Sequence, residues 1–339
     1  MKIGITYDLK ESVPVGQNEP DDTLEEYDSR ETIDGIAAAL KSAGHTVQKM
    51  GGGRAFLRAV LRAKVDFVFN IAEGLGTYRS REAQVPSVLE MLGIPYSGSD
   101  PQSLAVCHDK HLAKKIVSLA GVSTPKWHLV SSLSELAGIE WAGFPFPAFV
   151  KPAYEGSSMG VRLTSRVEKA GGLQDAVGKL LKSYEQPVIV EEFIDGDEVT
   201  VGVIGNSPTK VLGIMRVLPR AKMLYFVYSL EIKRDWEKLV DYECPARLPE
   251  GTLKQISDFA LRVFKSLGCR DFARLDFRVS RARKPYFLEI NPLPGLNPQS
   301  SDYPIMAYKM GWGYNGLVNS ILSAGLERYA GAADHNRSL

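Results

Sequence analysis

The sequence predicts a protein of α/β and α+β class with three lobes: an amino-terminal parallel α/β lobe, then two lobes of antiparallel sheet and helices. A chain of 339 residues is too long for one ordinary core. Its first hundred residues alternate strand and helix patterns, which favours a parallel sheet, whereas the chain beyond residue 147 is rich in consecutive strands. We expect lobes at 1–105, 106–194 and 195–328, and a flexible tail at 329–339.

Composition excludes several classes of protein. Hydrophobic residues make up 44% and charged residues 24%, as in a globular chain rather than a disordered or collagen-like one. A net charge of +1 gives no overall field to gather nucleic acid or an anionic bilayer, so we expect neither partner. The three cysteines are far apart, which favours a reducing cytoplasm, and we find no secretion signal or membrane span.

The first lobe begins with an alternating strand at residues 1–7. A helical pattern through Ile33 and Leu40 follows, for which Asp28 or Ser29 could be the cap, and 65–72 is a buried strand. Gly51-Gly52-Gly53 lacks the G-x-G-x-x-G spacing of dinucleotide-binding loops, so we interpret it as a surface turn and discard a dehydrogenase hypothesis.

The rest of the chain predicts two antiparallel sheets. A helix at 110–119 precedes the predicted strands, which are 147–151, 188–194, 198–205, 211–217, 272–279 and 285–290. A long amphipathic helix at 253–267 separates the last two strands from the others.

Four polar residues on the last two strands predict a metal site. Alternation along a strand puts Arg274 and Asp276 on one face, and Glu289 and Asn291 likewise. Two carboxylates and an amide suit Mg²⁺ held partly by nucleotide phosphates, so Asp276, Glu289 and Asn291 are the predicted ligands. The alternative is an exposed sheet face with an ordinary arginine–carboxylate pair.

Two further segments favour a nucleotide. Residues 149–161 carry Lys151 out of a strand into a Gly- and Ser-containing loop, whose N–H groups could cover phosphates. A plain hairpin would also explain the glycines. Residues 188–198 form an apolar strand with an acidic end, as expected of a hinge that holds adenine and ribose, although acidic turns are usually solvated.

From Lys2 to about Arg328 the chain resembles the D-alanine:D-alanine ligase family of the ATP-grasp superfamily, in which lobes of antiparallel sheet clasp ATP. The residues that match the family's V-K-P-x-x-E-G-S-S-x-G loop are Lys151, Glu155, Gly156, Ser157, Ser158 and Gly160. Asp109-Lys110 resembles its D-K, Arg274 and Asp276 its R-x-D, and residues 288–295 its L-E-x-N-x-x-P-G.

The resemblance implies an ATP-dependent ligase that joins a carboxylate to an amine through an acylphosphate, in peptidoglycan precursor synthesis. It implies two Mg²⁺ ions, for which Mn²⁺ can substitute, and it implies amino-acid substrates. A homodimer is possible. The implied nucleotide-binding residues are Lys110, Lys151, Glu155, Gly156, Ser157, Ser158, Glu191, Ile194, Glu198 and Lys233. The implied catalytic residues are Arg274, Ser157, Gly295 and Glu25, and Ser300 falls where the family binds the substrate carboxylate.

The substrate half departs from the family pattern. Lys233 is followed by Arg234 where D-alanine ligases usually have a tyrosine, and Glu73 replaces a histidine. Either Glu25 or Glu26 corresponds to the glutamate that orients the first amino acid. Arg234 could therefore favour a substrate with an extra acidic group, or point to solvent and leave D-alanine in use.

Two hypotheses compete with D-alanine ligation. One is a ligase that joins other amino acids, or a small acid to an amino acid, and the other is a nucleotide-binding module without catalysis. We interpret Arg79 and Arg81 as solvated arginines, and His108 and His111 as helix-surface residues.

Overall fold

The computed structural model describes residues 1–16 and 19–335, and its strands form three sheets. One sheet is parallel and two are antiparallel, which confirms the predicted class. None of the helices in this part of the chain has the length and hydropathy needed to cross a membrane.

The amino-terminal lobe contains the parallel sheet, with strand order β2-β1-β3. Its strands are β1 (Lys2–Thr6), β2 (Thr46–Lys49) and β3 (Phe67–Asn70), and its helices are α1 (Arg30–Ser42), α2 (Gly53–Val60) and α3 (Gln84–Met91). Of the two candidate caps for α1, Ser29 fills the position, since its side chain accepts a bond of 3.3 Å from the Thr32 N–H.

A four-stranded antiparallel sheet follows, in the order β4-β7-β5-β6. Helices α4 (Pro101–His108) and α5 (Lys110–Leu119) precede it in the chain. The sheet consists of β4 (Trp127–Val130), β5 (Ala148–Pro152), β6 (Arg166–Val167) and β7 (Val188–Glu192), with helices α6 (Leu133–Gly138) and α7 (Leu173–Tyr184). Apolar residues of these strands and helices form a separate small core.

The last sheet has five antiparallel strands in the order β10-β9-β8-β11-β12. They are β8 (Gly196–Ile204), β9 (Lys210–Pro219), β10 (Val240–Glu243), β11 (Phe272–Ser280) and β12 (Pro285–Asn291). The helices of this region are α8 (Leu230–Arg234), α9 (Trp236–Leu239), α10 (Glu250–Ser266), α11 (Asp302–Lys309) and α12 (Tyr314–His335).

Hydrophobic cores cross the lobe boundaries that the sequence predicts. Ala113 and Val117 of α5 belong to the core of the five-stranded sheet rather than to that of the four-stranded one. Leu317 and Ile321 of α12 pack in the core of the amino-terminal lobe. Helix α12 also runs through most of the segment predicted as a tail, to His335, and residues 336–339 lie outside the described residues.

Candidate active site

A cleft of about 900 Å³, including its open mouth, lies between the two antiparallel sheets. Most of the residues that the sequence assigns to nucleotide and metal line it together. They are Lys110, Lys151, Glu155, Ser158, Glu191, Ile194, Glu198, Lys233, Arg274, Asp276 and Glu289. The Gly51–Gly53 turn is not among the residues that line the cleft.

One wall of the cleft is the loop that follows β5, residues 155–161, which we call the phosphate loop. Ser157 and Ser158 have left-handed backbone conformations, with φ of 46° and 62°. Side chains disfavour this region, and such residues concentrate at ligand sites. Gly160 has φ of 71°, and a Cβ there would lie 2.5 Å from Pro152 Cγ, so a glycine is required.

Lys110 approaches the cleft from the start of α5. Asp109 caps α5 by accepting from the N–H groups of His111 at 3.1 Å and Leu112 at 3.0 Å, which places Lys110 in the first helical turn. Lys110 Nζ donates to the Glu155 carbonyl and lies 3.4 Å from Glu289 Oε2. The cap therefore holds this ammonium group beside the loop.

Glu191 is buried between two ammonium groups, 2.8 Å from Lys114 Nζ and 2.9 Å from Lys151 Nζ. Burial alone would raise the pKa of Glu191, but the two lysines outweigh it and lower that pKa. Burial also lowers the pKa of Lys114 to about 8, against the pull of Glu191. Lys114 is not among the residues predicted from the sequence, although its spacing of four from Lys110 puts both on one helix face.

Arg278 organises the predicted adenine and ribose end of the cleft. Its Nη1 lies 2.7 Å from Glu198 Oε1, and its Nε donates to the Ile194 carbonyl at 2.5 Å. The Tyr228 N–H donates to the same Glu198 oxygen at 3.2 Å. Arg278 is also not among the residues predicted from the sequence, although strand alternation after residues 274 and 276 puts it on the same face.

The predicted metal ligands lie opposite each other on β11 and β12. Strand register pairs Asp276 with Glu289 and Arg274 with Asn291. Burial would raise the pKa of Glu289, but Lys110, Lys151 and Arg274 lower it to about 2, so its carboxylate is ionised. Asp276 accepts from Arg274 Nη2 at 2.9 Å and from the Thr200 hydroxyl at 2.9 Å.

These oxygen donors fit a hard divalent cation. Among the residues that the structure describes, no group of three His, Cys, Asp or Glu side chains forms a complete metal site. An ion here would therefore need further oxygen ligands, such as those of a phosphate.

A second cavity, of about 1020 Å³, lies between the amino-terminal lobe, α8 and the chain after β12. It is lined by the residues that the sequence assigns to substrate and catalysis, which are Glu25, Glu73, Ser157, Arg234, Arg274, Gly295 and Ser300. Lys233 and Asn291, assigned to nucleotide and metal, also line it. A smaller cavity, lined by Gly156 among others, lies between the two. We call the first cleft the nucleotide cleft and the second cavity the substrate cavity, after the roles predicted for their residues. Arg274 lines all three cavities, so the nucleotide cleft and the substrate cavity meet at this side chain.

Arg234 is engaged by acidic partners at the rim of the substrate cavity. Its Nη2 lies 2.7 Å from Glu25 Oε1, its Nη1 lies 3.3 Å from Asp21 Oδ2, and its guanidinium also donates to the Asp21 carbonyl at 3.0 Å. Its positive charge is therefore already balanced by the protein.

The opposite wall of the substrate cavity is acidic. Burial, followed by the neighbouring Glu82 and Glu26, raises the pKa of Glu73 well above its usual range. Burial, followed by Asp8, raises the pKa of Asp28 to about 8. Both carboxyl groups therefore favour the protonated form or a cationic partner.

Asp28→Asn should raise the melting temperature by a few degrees at pH 8 and leave it nearly unchanged at pH 4. The folded protein keeps the Asp28 proton up to about pH 8, whereas the unfolded chain releases it near pH 4. The folded state therefore loses stability as pH rises between these values, and the asparagine escapes this loss. Thermal melts at pH 4 and pH 8 test this prediction, with Asp258→Asn at an exposed position as the control. An equal shift in melting temperature at the two pH values would contradict it.

Two predictions of solvated surface residues are wrong. Arg81 is only 3% exposed and lies 2.5 Å from Glu26 and 2.8 Å from Glu155, because the fold brings two distant carboxylates onto it. His108 is 7% exposed, and its Nδ1 lies 2.7 Å from Glu82 Oε1. In both cases the partner is distant in the sequence, so the burial could not be predicted from neighbouring residues.

Similar proteins agree on one family. A family model described as D-ala D-ala ligase C-terminus matches residues 116–323. The chain is 33% identical to the D-alanine–D-alanine ligase of Aquifex aeolicus over 295 residues, 87% of this chain and 94% of that protein. An uncharacterized protein of Sinorhizobium fredii is 32% identical over 319 residues, 88% of each chain. A crystal structure of D-alanine–D-alanine ligase from Bacillus anthracis superposes with a TM-score of 0.73 at 26% identity, over 96% of this chain and 98% of that one.

Proposed function

Because this chain belongs to the D-alanine–D-alanine ligase family, whose members use ATP and a divalent metal ion, we propose that it joins two D-alanine molecules with consumption of one ATP. The observation that carries this proposal is the position of Arg274, which lines both the nucleotide cleft and the substrate cavity. A carboxylate in the cavity and the terminal phosphate of ATP can thus meet beside one guanidinium. The product would feed peptidoglycan precursor synthesis.

The first step activates a carboxylate, which is a poor electrophile. A carboxylate oxygen attacks the γ-phosphorus of ATP in line, and the bond from that phosphorus to the bridging oxygen breaks. ADP departs, and an acylphosphate remains. Lys110 and Lys151 would bear the phosphate charge, since both ammonium groups line the nucleotide cleft next to the phosphate loop. Backbone N–H groups at Ser157 and Ser158 would cover the phosphates, whereas the Gly156 N–H already donates to Glu26.

Asp276, Glu289 and Asn291 would hold two Mg²⁺ ions, which Mn²⁺ could replace. The bound cations would neutralise negative charge on the phosphates during transfer. Support comes from the ionised Glu289 and from its position opposite Asp276.

The second step is attack of an amine on the acylphosphate carbonyl. An oxyanion develops there, and the Arg274 guanidinium and the Gly295 N–H are the donors we assign to it. Burial, followed by the charge of Arg274, lowers the pKa of Lys233, which lines both cavities. The bond between the carbonyl carbon and the phosphate oxygen then breaks, and phosphate leaves with the proton that the amine loses, so that the amide remains.

Substrate binding rests on the acidic wall and on the segment after β12. Glu73 would receive the ammonium group of the first amino acid, because a bound cation offsets the burial and the repulsion that raise the pKa of Glu73. Glu25 shares its charge with Arg234 at 2.7 Å, so Glu73 would make the main contact. Ser300 would hold the carboxylate of the second. We keep the predicted assignment of Glu191 to the adenine amino group and of Glu198 to the ribose. The backbone near Ile194 would complete the pocket for the adenine base.

The ion pairs of Arg234 favour D-alanine over an acidic amino acid as substrate. A guanidinium that already faces Glu25 and Asp21 has little charge left for a substrate carboxylate. We expect Arg234→Ala to change KM for D-alanine by less than about tenfold, as befits a screened surface pair, and to leave the order of preference among amino acids unchanged.

A substrate-pair assay tests both points. Purified enzyme is given ATP, Mg²⁺ and pairs of amino acids, and ADP and amide are measured for wild type and Arg234→Ala, with Arg220→Ala as an exposed control. Efficient D-alanyl-D-alanine formation supports the proposal. A preference for an acidic amino acid that Arg234→Ala abolishes would instead support altered specificity, and absence of ADP release with every pair would favour a module without catalysis.

We further propose that the reaction takes place in the cytoplasm, on small-molecule substrates, and that a homodimer is the working form. The cysteines support the location, since Cys107, Cys244 and Cys269 are free thiols even though the sulfur atoms of Cys107 and Cys269 lie only 3.6 Å apart. Size-exclusion chromatography with light scattering tests the homodimer.

A further inference from the structure

Asp22 is a buried carboxylate that neither the reaction nor the sequence analysis has used. It stands in the amino-terminal lobe, in a turn-rich segment between β1 and α1, and its side chain is fully buried. Burial of a charged group is costly unless hydrogen-bond donors satisfy it. The partners of Asp22 therefore matter.

All of these partners belong to the lobe of the four-stranded sheet. Asp22 Oδ2 accepts from the Gly160 N–H at 2.9 Å and from Arg162 Nη2 at 3.2 Å. The hydroxyl of Tyr184, at the end of α7, lies 2.8 Å from both carboxylate oxygens. Charge-assisted bonds of this kind are about twice as strong as neutral ones. One side chain thus ties the first lobe to the second.

The contact falls where the phosphate loop ends. Gly160 is the left-handed loop residue at which a Cβ would clash with Pro152. The next residue, Val161, accepts a bond of 3.0 Å from the Leu230 N–H of α8. Helix α8 carries Lys233. Asp22 therefore holds the junction between two elements that both cover the nucleotide cleft.

The other end of the phosphate loop is held in a similar manner. Glu26 accepts from the Gly156 N–H at 2.5 Å. Two carboxylates of one short segment, residues 22–26, thus grip both ends of the loop. The position of the loop over the cleft depends on the first lobe, which supplies the acidic wall of the substrate cavity.

We propose that Asp22 is a positioning residue that keeps the phosphate loop closed while the acylphosphate exists. The inference rests on the proposed ligase function. Water that entered an open cleft would attack the acylphosphate, break its bond to phosphate and regenerate the carboxylate, so that ATP and water give ADP and phosphate without an amide. Loss of the Asp22 contacts should uncouple ATP consumption from amide formation.

The first test measures this coupling. Wild type should release about one ADP per amide, whereas Asp22→Asn, which keeps the side-chain volume but removes the charge, should release at least about two. Asp22→Ala should release more, and Tyr184→Phe should fall between wild type and Asp22→Asn. Partial unfolding would lower both products together and leave their ratio unchanged. A ratio of one in both Asp22 variants would overturn the proposal.

Asp21→Asn is the matched control. Asp21 is the neighbouring carboxylate and also faces Arg162, but its side chain is 64% exposed. Solvent-exposed ion pairs contribute little, so the ADP-to-amide ratio of this variant should equal that of wild type. Uncoupling in Asp21→Asn as large as in Asp22→Asn would assign the effect to general charge loss and overturn the role of Asp22.

A second readout is independent of ligase chemistry. Hydrogen exchange of the loop amides 156–161 is measured with β,γ-methylene-ATP and Mg²⁺ bound. Exchange in Asp22→Asn should be at least about tenfold faster than in wild type, with α10 unaffected. Equal protection would overturn the proposal. Should wild type form no amide from any pair, the ligase function fails, and this measurement still decides whether Asp22 holds the loop.

Discussion

Asp276→Asn or Glu289→Gln is expected to abolish turnover and leave the fold intact. Each change keeps the shape of the side chain but removes a negative charge from the oxygen cluster on β11 and β12. Metal ions contribute several kcal/mol of charge stabilisation in phosphoryl transfer, so we expect a loss in kcat of about a thousandfold or more. The measurement is Mg²⁺-dependent ADP release, with circular dichroism as a check on folding.

Asp241→Asn is the control for this prediction. Asp241 lies on β10, at the opposite edge of the same sheet, and its exposed side chain pairs with Arg220 at 2.9 Å. Its loss should leave turnover within about twofold, as for exposed ion pairs in general. Near-normal Mg²⁺-dependent ADP release in Asp276→Asn or Glu289→Gln would contradict the assigned cluster.

Arg274→Ala should lower kcat by about 100- to 1000-fold, the usual cost of removing one oxyanion donor. KM for ATP should change much less, because Arg274 touches the nucleotide cleft only where it meets the substrate cavity. Arg274→Lys keeps the charge but cannot reproduce the fork that faces Asp276 at 2.9 Å and Asp302 at 3.7 Å, so most of the loss should remain.

Steady-state kinetics for both variants, with added guanidinium as a rescue agent for Arg274→Ala, measure this effect. Recovery of kcat by guanidinium would locate the defect in the missing group rather than in the surrounding fold. An Arg274→Ala enzyme with a kcat near that of wild type would show that the oxyanion is stabilised elsewhere. Arg220→Ala, which removes an exposed arginine from the same lobe, should retain full activity.

Local patterns in the sequence were sufficient for much of the fold and for many residues of the nucleotide cleft, although not for Arg278. Alternation along each strand predicted that Arg274 and Asp276 would share one face, and that Glu289 and Asn291 would share one face, because side-chain direction in a strand is set by the backbone. The register that puts Asp276 opposite Glu289 came only from the structure. The capped start of α5 and the glycine-containing loop after β5 are likewise properties of short segments.

Contacts between distant segments were beyond such patterns. Arg81 was predicted to lie in solvent, but its guanidinium lies between Glu26 and Glu155, which are 55 and 74 positions away in the sequence. Asp22 carried no local signal at all, since its donors come from Gly160, Arg162 and Tyr184. The charge balance of Arg234 also depends on a segment more than two hundred residues earlier.

The sequence by itself therefore determined the class of the fold and predicted the carboxylate-bearing strand pair and the phosphate loop, because periodicity, turn chemistry and motif spacing act over a few residues. Only the tertiary structure decided which charges are buried, which are neutralised and which residues of the first lobe hold the loop. Burial and ion pairing depend on how the lobes meet, and that arrangement results from packing across the whole chain.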